Sequence, residues 1–174
     1  MTAQELANKA NTLHDVDIDD PLFIKEATND FQDDLANKTR LLVDLSLTVT
    51  ADTWTDLPTN FIGVETVELN SEEYYDYEIK DTIPRKIRFP EAGTYLLTYS
   101  RTPNKITDIN TSQVDAHPYL IGLGDLFLAY KYKLKDNEKY PERGMLLKQE
   151  YEQERDKRVL ELRTNKIRSV RAIY

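Results

Sequence analysis

The sequence has 174 residues, 40% of them hydrophobic, which suits one domain or a helical body with a small second lobe. The absence of cysteine excludes disulfides and thiolate metal sites, and no apolar run approaches the roughly eighteen residues that a transmembrane helix needs. The net charge of −8 is unevenly divided, because residues 1–80 carry 18 acidic and 5 basic side chains whereas residues 81–174 carry 13 and 18. Such an asymmetry favours association with copies or partners in one orientation.

Two helices are predicted in the first forty residues. Thr2 and Glu5 have the spacing of a capping box, and apolar residues follow at helical intervals. After an acidic linker, Asp20 and Pro21 form the N-cap and first position of a second helix. This helix is predicted to run from about Pro21 to about Arg40.

The hydrophobic period then changes from helical to two, which is typical of half-buried strands. Five short strands are predicted, separated by turn-prone segments, and they indicate a small antiparallel sheet or sandwich. These strands are an alternation at Leu45–Val49, then Gly63–Leu69, Tyr74–Lys80, Arg85–Phe89 and Thr94–Ser100. Tyrosines on the strands are interpreted as cross-strand packing, with a ligand platform as the alternative. They are Tyr74, Tyr75, Tyr77, Tyr95 and Tyr99.

Helical patterning returns near His117, where the most apolar helix of the chain is predicted to begin and to run to about Leu134. Gly122 and Gly124 lie inside it and cost about 1 kcal/mol each relative to alanine. We therefore predict that both glycines lie at close helix–helix contacts, within the subunit or between subunits. A last helix, with a sparse apolar stripe, is predicted from Pro141.

The chain ends in a basic tail, residues 163–174, with four basic and no acidic side chains. A frayed terminus is one interpretation. The apolar residues in the tail favour the other interpretation, an extended arm that becomes ordered on a partner. The residues predicted to bind that partner are Lys166, Ile167, Arg168, Val170, Arg171, Ile173 and Tyr174.

The sequence carries no recognisable catalytic, phosphate-binding or dinucleotide-binding motif. His14 and His117 each lie beside a helix boundary without a second histidine at metal-ligand spacing, so a capping or packing role is predicted. Paired acids such as Asp33 and Asp34 are interpreted as solvated faces. We therefore expect no enzyme activity, no catalytic residues, no cofactor and no metal site.

Together these segments predict an α+β protein. Residues 1–41 and 104–162 form a helical bundle body of about four helices, and residues 42–103 form an inserted antiparallel β lobe. Residues 163–174 form an extended C-terminal arm.

This order of elements resembles the head–tail adaptor (connector) proteins of tailed bacteriophages. The segment Ile83–Tyr99, IPRKIRFPEAGTYLLTY, followed by Ser100–Pro103, is similar to a strand–turn–strand pattern found in phage adaptors. The segments His117–Tyr132 and Glu150–Arg163 resemble the helical pair with which such adaptors pack against neighbouring subunits.

The resemblance implies a structural subunit of the virion neck, assembled in the host cytoplasm into a ring that is commonly twelvefold. The implied partners are copies of itself, the portal protein, which the C-terminal arm reaches, and a downstream neck or tail protein. DNA would pass through the ring without sequence-specific binding, since an acidic wall repels it, and no membrane is involved. The alternatives are another virion protein, such as a tail-completion or baseplate subunit, a cellular binding module that uses the β lobe, and an enzyme.

Overall fold

The computed structural model describes residues 1–135 and 141–169, and it confirms the α+β class. The chain divides into two compact units. The helical unit comprises Met1–Thr39 and the residues from Lys105 on, and the β unit comprises Arg40–Asn104, against the 42–103 predicted for the β lobe. None of the helices in the described part of the chain has both the length and the apolar character to cross a membrane.

The helical unit contains five helices in its described residues. They are α1 (Ala3–His14), α2 (Pro21–Lys38), α3 (Pro118–Ile121), α4 (Gly124–Lys135) and α5 (Pro141–Ser169). The predicted capping box is confirmed at α1, where Thr2 Oγ1 accepts the Glu5 N–H and the Glu5 carboxylate accepts the Thr2 N–H. The predicted start of α2 is also confirmed, because Asp20 Oδ1 accepts the Leu22 N–H at 2.9 Å and Pro21 follows the cap.

Helix α4 lies at the centre of the helical unit, in contact with α1, α2 and α5. Aromatic rings from three of these helices form the middle of the core: the Phe127 centroid lies 5.4 Å from that of Phe31 and 5.0 Å from that of Tyr151. Leu6 and Ile24 are fully buried beside them. Burial of each large apolar side chain contributes about 1.5–3 kcal/mol, so this cluster stabilises the packing of the four longer helices.

The single helix predicted from His117 to Leu134 is wrong, because the chain breaks there into α3 and α4. Gly122 is the C-cap of α3, and α4 begins at Gly124. Two glycines within three residues lower the helix propensity enough for the break to form.

The prediction of an extended arm is wrong for Arg163–Ser169, because α5 continues through Ser169. This segment contains neither glycine nor proline, so nothing in it ends a helix that has already begun. Residues 170–174 lie outside the described residues.

The β unit contains seven strands in two antiparallel sheets. The strands are β1 (Leu41–Val49), β2 (Thr55–Asp56), β3 (Phe61–Leu69), β4 (Glu72–Glu73), β5 (Glu78–Lys80), β6 (Lys86–Arg88) and β7 (Gly93–Arg101). One sheet has the order β1-β7-β3-β4 and the other the order β2-β6-β5. The short β2 lies in a segment predicted to be a turn, and only the end of the predicted strand at Tyr74–Lys80 is extended as β5.

Aromatic side chains fill the core of the β unit. The rings of Phe89 and Tyr95 stack with centroids 3.9 Å apart, and those of Phe61 and Tyr99 with centroids 5.6 Å apart. The interpretation of the strand tyrosines as packing groups is confirmed for Tyr95 and Tyr99, which are buried. It is wrong for Tyr75, which is 78% exposed.

Candidate functional site

The predicted partner-binding arm begins within the C-terminal turns of α5, which ends at Ser169. The last side chain fixed by a contact to another helix before the arm is Arg163, whose Nη2 donates to the Lys38 carbonyl at 3.2 Å. That carbonyl belongs to the last turn of α2, which has no partner within its own helix. The backbone of Lys166, Ile167 and Arg168 is helical. The other predicted arm residues, Val170, Arg171, Ile173 and Tyr174, lie outside the described residues.

The two glycines predicted at close contacts have different surroundings within the subunit. A Cβ added at Gly124 would lie 2.5 Å from Leu6 Cδ2 and 2.9 Å from Phe31 Cε1, so α4 approaches α1 and α2 very closely there. A Cβ at Gly122 would meet only Arg158 Nη1, at 3.5 Å, among the described residues outside its own helix and chain neighbours. A close contact at Gly122 between subunits stays a prediction.

A charged group lies between α2 and α5 on the buried side of α5. Arg155 is 7% exposed, and its Nη1 donates to both oxygens of Asp34, at 3.1 and 3.0 Å. The opposite edge of the guanidinium pairs with Asp156, with Nε 2.9 Å and Nη2 2.8 Å from Oδ1. Tyr151 Oη also donates to Asp34. These bonds fix α5 to α2 at one register.

The pKa values of Tyr130, Tyr151 and Arg155 in and beside this group lie far above neutral pH. Burial, and then the hydrogen bond to Asp34, raise the pKa of Tyr151, and burial followed by the negative charge of Asp34 raises the pKa of Tyr130. Burial lowers the pKa of Arg155, but hydrogen bonds to Asp156 and Asp34 more than compensate and the pKa is raised. The group therefore has neutral phenols and a charged arginine at neutral pH, which suits a structural tie rather than proton transfer.

A cleft of about 510 Å³ opens on the other side of α5, facing the end of α1 and the junction of α3 and α4. Its lining residues are His14, Gly122, Leu123, Asp125, Leu126, Glu150, Gln153, Glu154, Lys157 and Arg158. Asp125 is 5% exposed, in the first turn of α4, where the helix dipole favours a negative charge. Its Oδ2 lies 3.6 Å from Lys9 Nζ and 3.5 Å from His14 Nε2. Among the described residues, neither Asp125 Oδ1 nor His14 Nε2 has a hydrogen-bond partner.

The basic side chains of α5 that line this cleft already have acceptors. Arg158 Nε lies 2.9 Å from Glu154 Oε1, and its Nη1 donates to the Tyr119 carbonyl at 3.2 Å. Lys157 Nζ lies 3.8 Å from Glu154 Oε2. The hydrogen bond from Arg158 accordingly lowers the pKa of Glu154. Within residues 1–135 and 141–169, Glu150 has neither an ion pair nor a side-chain hydrogen bond.

Sequence reasoning assigned His117 correctly but missed the buried charges. His117 is the N-cap of α3, its Nδ1 accepting the Tyr119 N–H at 3.2 Å, which confirms the predicted capping role. The interpretation of Asp34 as solvated is wrong, because it accepts bonds from α5. The available indication was Arg155, which is four residues from both Tyr151 and Val159 and so lies on the apolar stripe. The described residues contain no group of three metal-ligating side chains.

The comparisons with known proteins agree with this architecture. A protein-family profile described as SU10 adaptor protein matches residues 1–172, which include both units and all of α5. No curated protein matches the chain. The adaptor part of the predicted resemblance is thereby confirmed, and it is consistent with a virion-associated structural role and contacts to other phage proteins. The chain belongs to the SU10 adaptor protein family, a family of phage adaptors.

Proposed function

We propose that this adaptor forms a ring below the portal in the phage neck, extends the DNA channel and joins head to tail. The observation that carries the proposal is the family match over residues 1–172. An adaptor between two virion components needs a surface for each of them and, in a ring, a surface for its own copies.

The outer side of α5 supports contacts between copies. Leu146 and Leu160 are each 65% exposed and Met145 is 49% exposed. Leu146 and Leu160 are fourteen residues apart, so they lie on nearly the same side of the helix. Exposed apolar side chains aligned on one side of a helix are typical of a contact surface.

The basic end of α5 supports contact with the portal. Because α5 is helical to Ser169, addition of a strand to a portal sheet is not supported for that part of the arm, and a helix in a groove fits better. Ile167, Val170 and Tyr174 have the i, i+3, i+7 spacing of one helix side. Arginines at 168 and 171 would pair with portal carboxylates, and many arms in a ring would act together.

The negative charge of residues 1–80 supports the DNA-channel part of the proposal. Residues 1–80 carry a net charge of −13, so a ring wall formed from this half would repel duplex phosphates and let DNA pass.

The test is deletion of Lys166–Tyr174, followed by electron-microscopic class averages of the protein and co-sedimentation with its portal. We expect the truncated chain to fold and form rings but to lose portal attachment. Arm variants K166Q/R168Q/R171Q and I167S/V170S/Y174S separate the charged from the apolar contribution. K25Q/K133Q/K148Q is the matched control, since it removes three lysine charges outside the arm.

Undiminished attachment of the truncated protein would contradict the role of the arm. The absence of rings from the full chain at micromolar concentration would contradict the ring. Attachment of the full chain to a tail protein instead of the portal would identify a tail-completion subunit.

A further inference from the structure

The buried carboxylate of Asp125 is incompletely bonded. Lys9 and His14 both approach the same oxygen, Oδ2, at distances longer than a good hydrogen bond, and Oδ1 has no partner among the described residues. An ionised carboxylate in this environment normally accepts several bonds, because an unpaired acceptor costs free energy when it is removed from water. The terminal torsion of an aspartate is soft, so either oxygen can turn towards the cleft.

The charges around the cleft determine which ligand could supply the hydrogen bonds that the Asp125 carboxylate lacks. On the basic side, Lys9 and His14 already face Asp125, and Lys157 and Arg158 both face Glu154. On the acidic side, Glu150 and one oxygen of Asp125 have unused acceptor capacity. A cation with several N–H donors satisfies both acids, whereas an anion would find every basic side chain that lines the described cleft already facing a carboxylate. A guanidinium, with five donors, or an ammonium fits this description.

Apolar side chains beside the cleft indicate a protein as the source of that cation. Leu146 precedes Glu150 by one turn of α5, Leu160 follows Lys157 by nearly one turn, and Tyr119 is 46% exposed. Apolar groups around a charged centre exclude water from it, which is the arrangement of energetic hot spots in protein interfaces. The apolar side of α5 is also the one to which the proposed ring assigns the contact between copies.

We propose that the cleft of each subunit binds an arginine or lysine side chain of the neighbouring copy, with Asp125 and Glu150 as its acceptors. The proposal rests on the proposed ring, and it makes each cleft incomplete until the neighbour supplies its cation. The exposed apolar side chains of α5 beside the cleft support a second copy as the occupant, because the proposed ring buries the same side of α5 between copies. Asp125 and Glu150 bind the side chain of the neighbouring copy, and no catalytic step is proposed for them.

The test compares ring assembly in full-length variants D125N and E150Q with that in E152Q. Each variant removes one acidic charge. Among the described residues, Glu152 forms an ion pair only with the exposed Lys148, at 3.9 Å, and it does not line the cleft, so E152Q is the matched control. We expect the concentration for half-assembly, measured by mass photometry, to rise about fivefold or more in D125N and E150Q, since one charge pair per interface is lost. E152Q should assemble like the unmodified chain. Circular dichroism checks the fold, and the exposed Glu150 keeps the test valid if D125N fails to fold.

A second measurement identifies the ligand class on subunits diluted below the assembly concentration. Arginine amide should shift the amide NMR signals of Gln153 and Leu126 saturably, while citrulline amide, its uncharged isostere, should not. Equal shifts with the two probes would show that the cleft does not select a cation, and no shifts would show that it binds neither probe; either result overturns the proposal. If the unmodified chain forms rings and D125N and E150Q form them equally well, the inference fails while the proposed function stands. Binding of arginine amide without any effect of these variants on assembly would assign the cleft to a different partner and overturn the second copy as occupant.

Discussion

At the scale of single residues, Gly124 shows how one missing side chain sets the distance between helices. Leu6 and Phe31, the neighbours that a Cβ would meet at 2.5–2.9 Å, are both fully buried and have little room to move. We expect G124A to lower the free energy of unfolding by about 1–3 kcal/mol, the usual cost of overpacking a core. Urea unfolding followed at 222 nm measures the change.

The matched control is G122A, in the same short segment. Its new methyl group would have only Arg158 Nη1 near it, at 3.5 Å, and its φ of −63° is ordinary for alanine. We expect its stability to be unchanged or to rise by up to about 1 kcal/mol through a smaller loss of chain entropy. Equal stabilities for the two variants would show that the close approach at Gly124 relaxes without cost.

At the scale of secondary-structure elements, the ion pair between Arg155 and Asp34 joins α5 to α2. R155M keeps the side-chain volume but leaves Asp34 without its cation. Because the Asp34 side chain is 30% exposed, we expect a loss of about 2 kcal/mol, below the 3–5 of a fully buried pair. K148M, which breaks the exposed pair with Glu152 on the same helix, should change stability by less than about 0.5 kcal/mol.

A double variant distinguishes the free energy lost with the ion pair from the free energy lost with side-chain packing. D34N in the R155M background removes the unpaired charge, so it should cost less than D34N alone. Additive losses from the two substitutions would contradict a direct coupling between these side chains.

The same elements show what a sequence can and cannot predict here. Helix starts at Thr2 and Asp20 depend on groups two or three residues away, so local chemistry predicts them. The change of hydrophobic period likewise marked the β unit, because strand alternation is a local property. The partnership of Asp34 with Arg155 spans 121 positions and depends on how α2 and α5 pack, so no spacing rule finds it. The acceptors of the cleft were missed for the same reason, since α1, α4 and α5 each contribute a part.

At the scale of the whole molecule, the two units should respond differently to alkaline pH. Tyr130 and Tyr151 in the helical unit have pKa values raised above their usual 10, chiefly by burial, whereas in the unfolded chain they ionise near 10. Above pH 10 the unfolded state therefore loses protons that the folded state keeps, and stability falls as pH rises. The unfolded tyrosines are half ionised at pH 10 and about nine-tenths ionised at pH 11, so each contributes about 1 kcal/mol over this interval and the helical unit should lose about 2 kcal/mol.

In the β unit, Tyr74 is the one described tyrosine whose pKa is raised chiefly by burial, to about 12, so the stability of this unit should fall about half as steeply. Trp54 is the only tryptophan of the chain and lies in the β unit, where it packs under Lys80 and Arg88, so its fluorescence reports on that unit alone. Ellipticity at 222 nm reports mainly on the helices. We expect the urea midpoint at 222 nm to fall about twice as steeply with pH as the midpoint from Trp54 fluorescence. The variant Y130F removes one of the two phenols of the helical unit whose pKa is raised chiefly by burial, so it should halve the slope at 222 nm and leave the Trp54 slope unchanged. Coincident slopes for the two signals, or an unchanged 222 nm slope in Y130F, would show that buried tyrosines do not control alkaline stability in this adaptor.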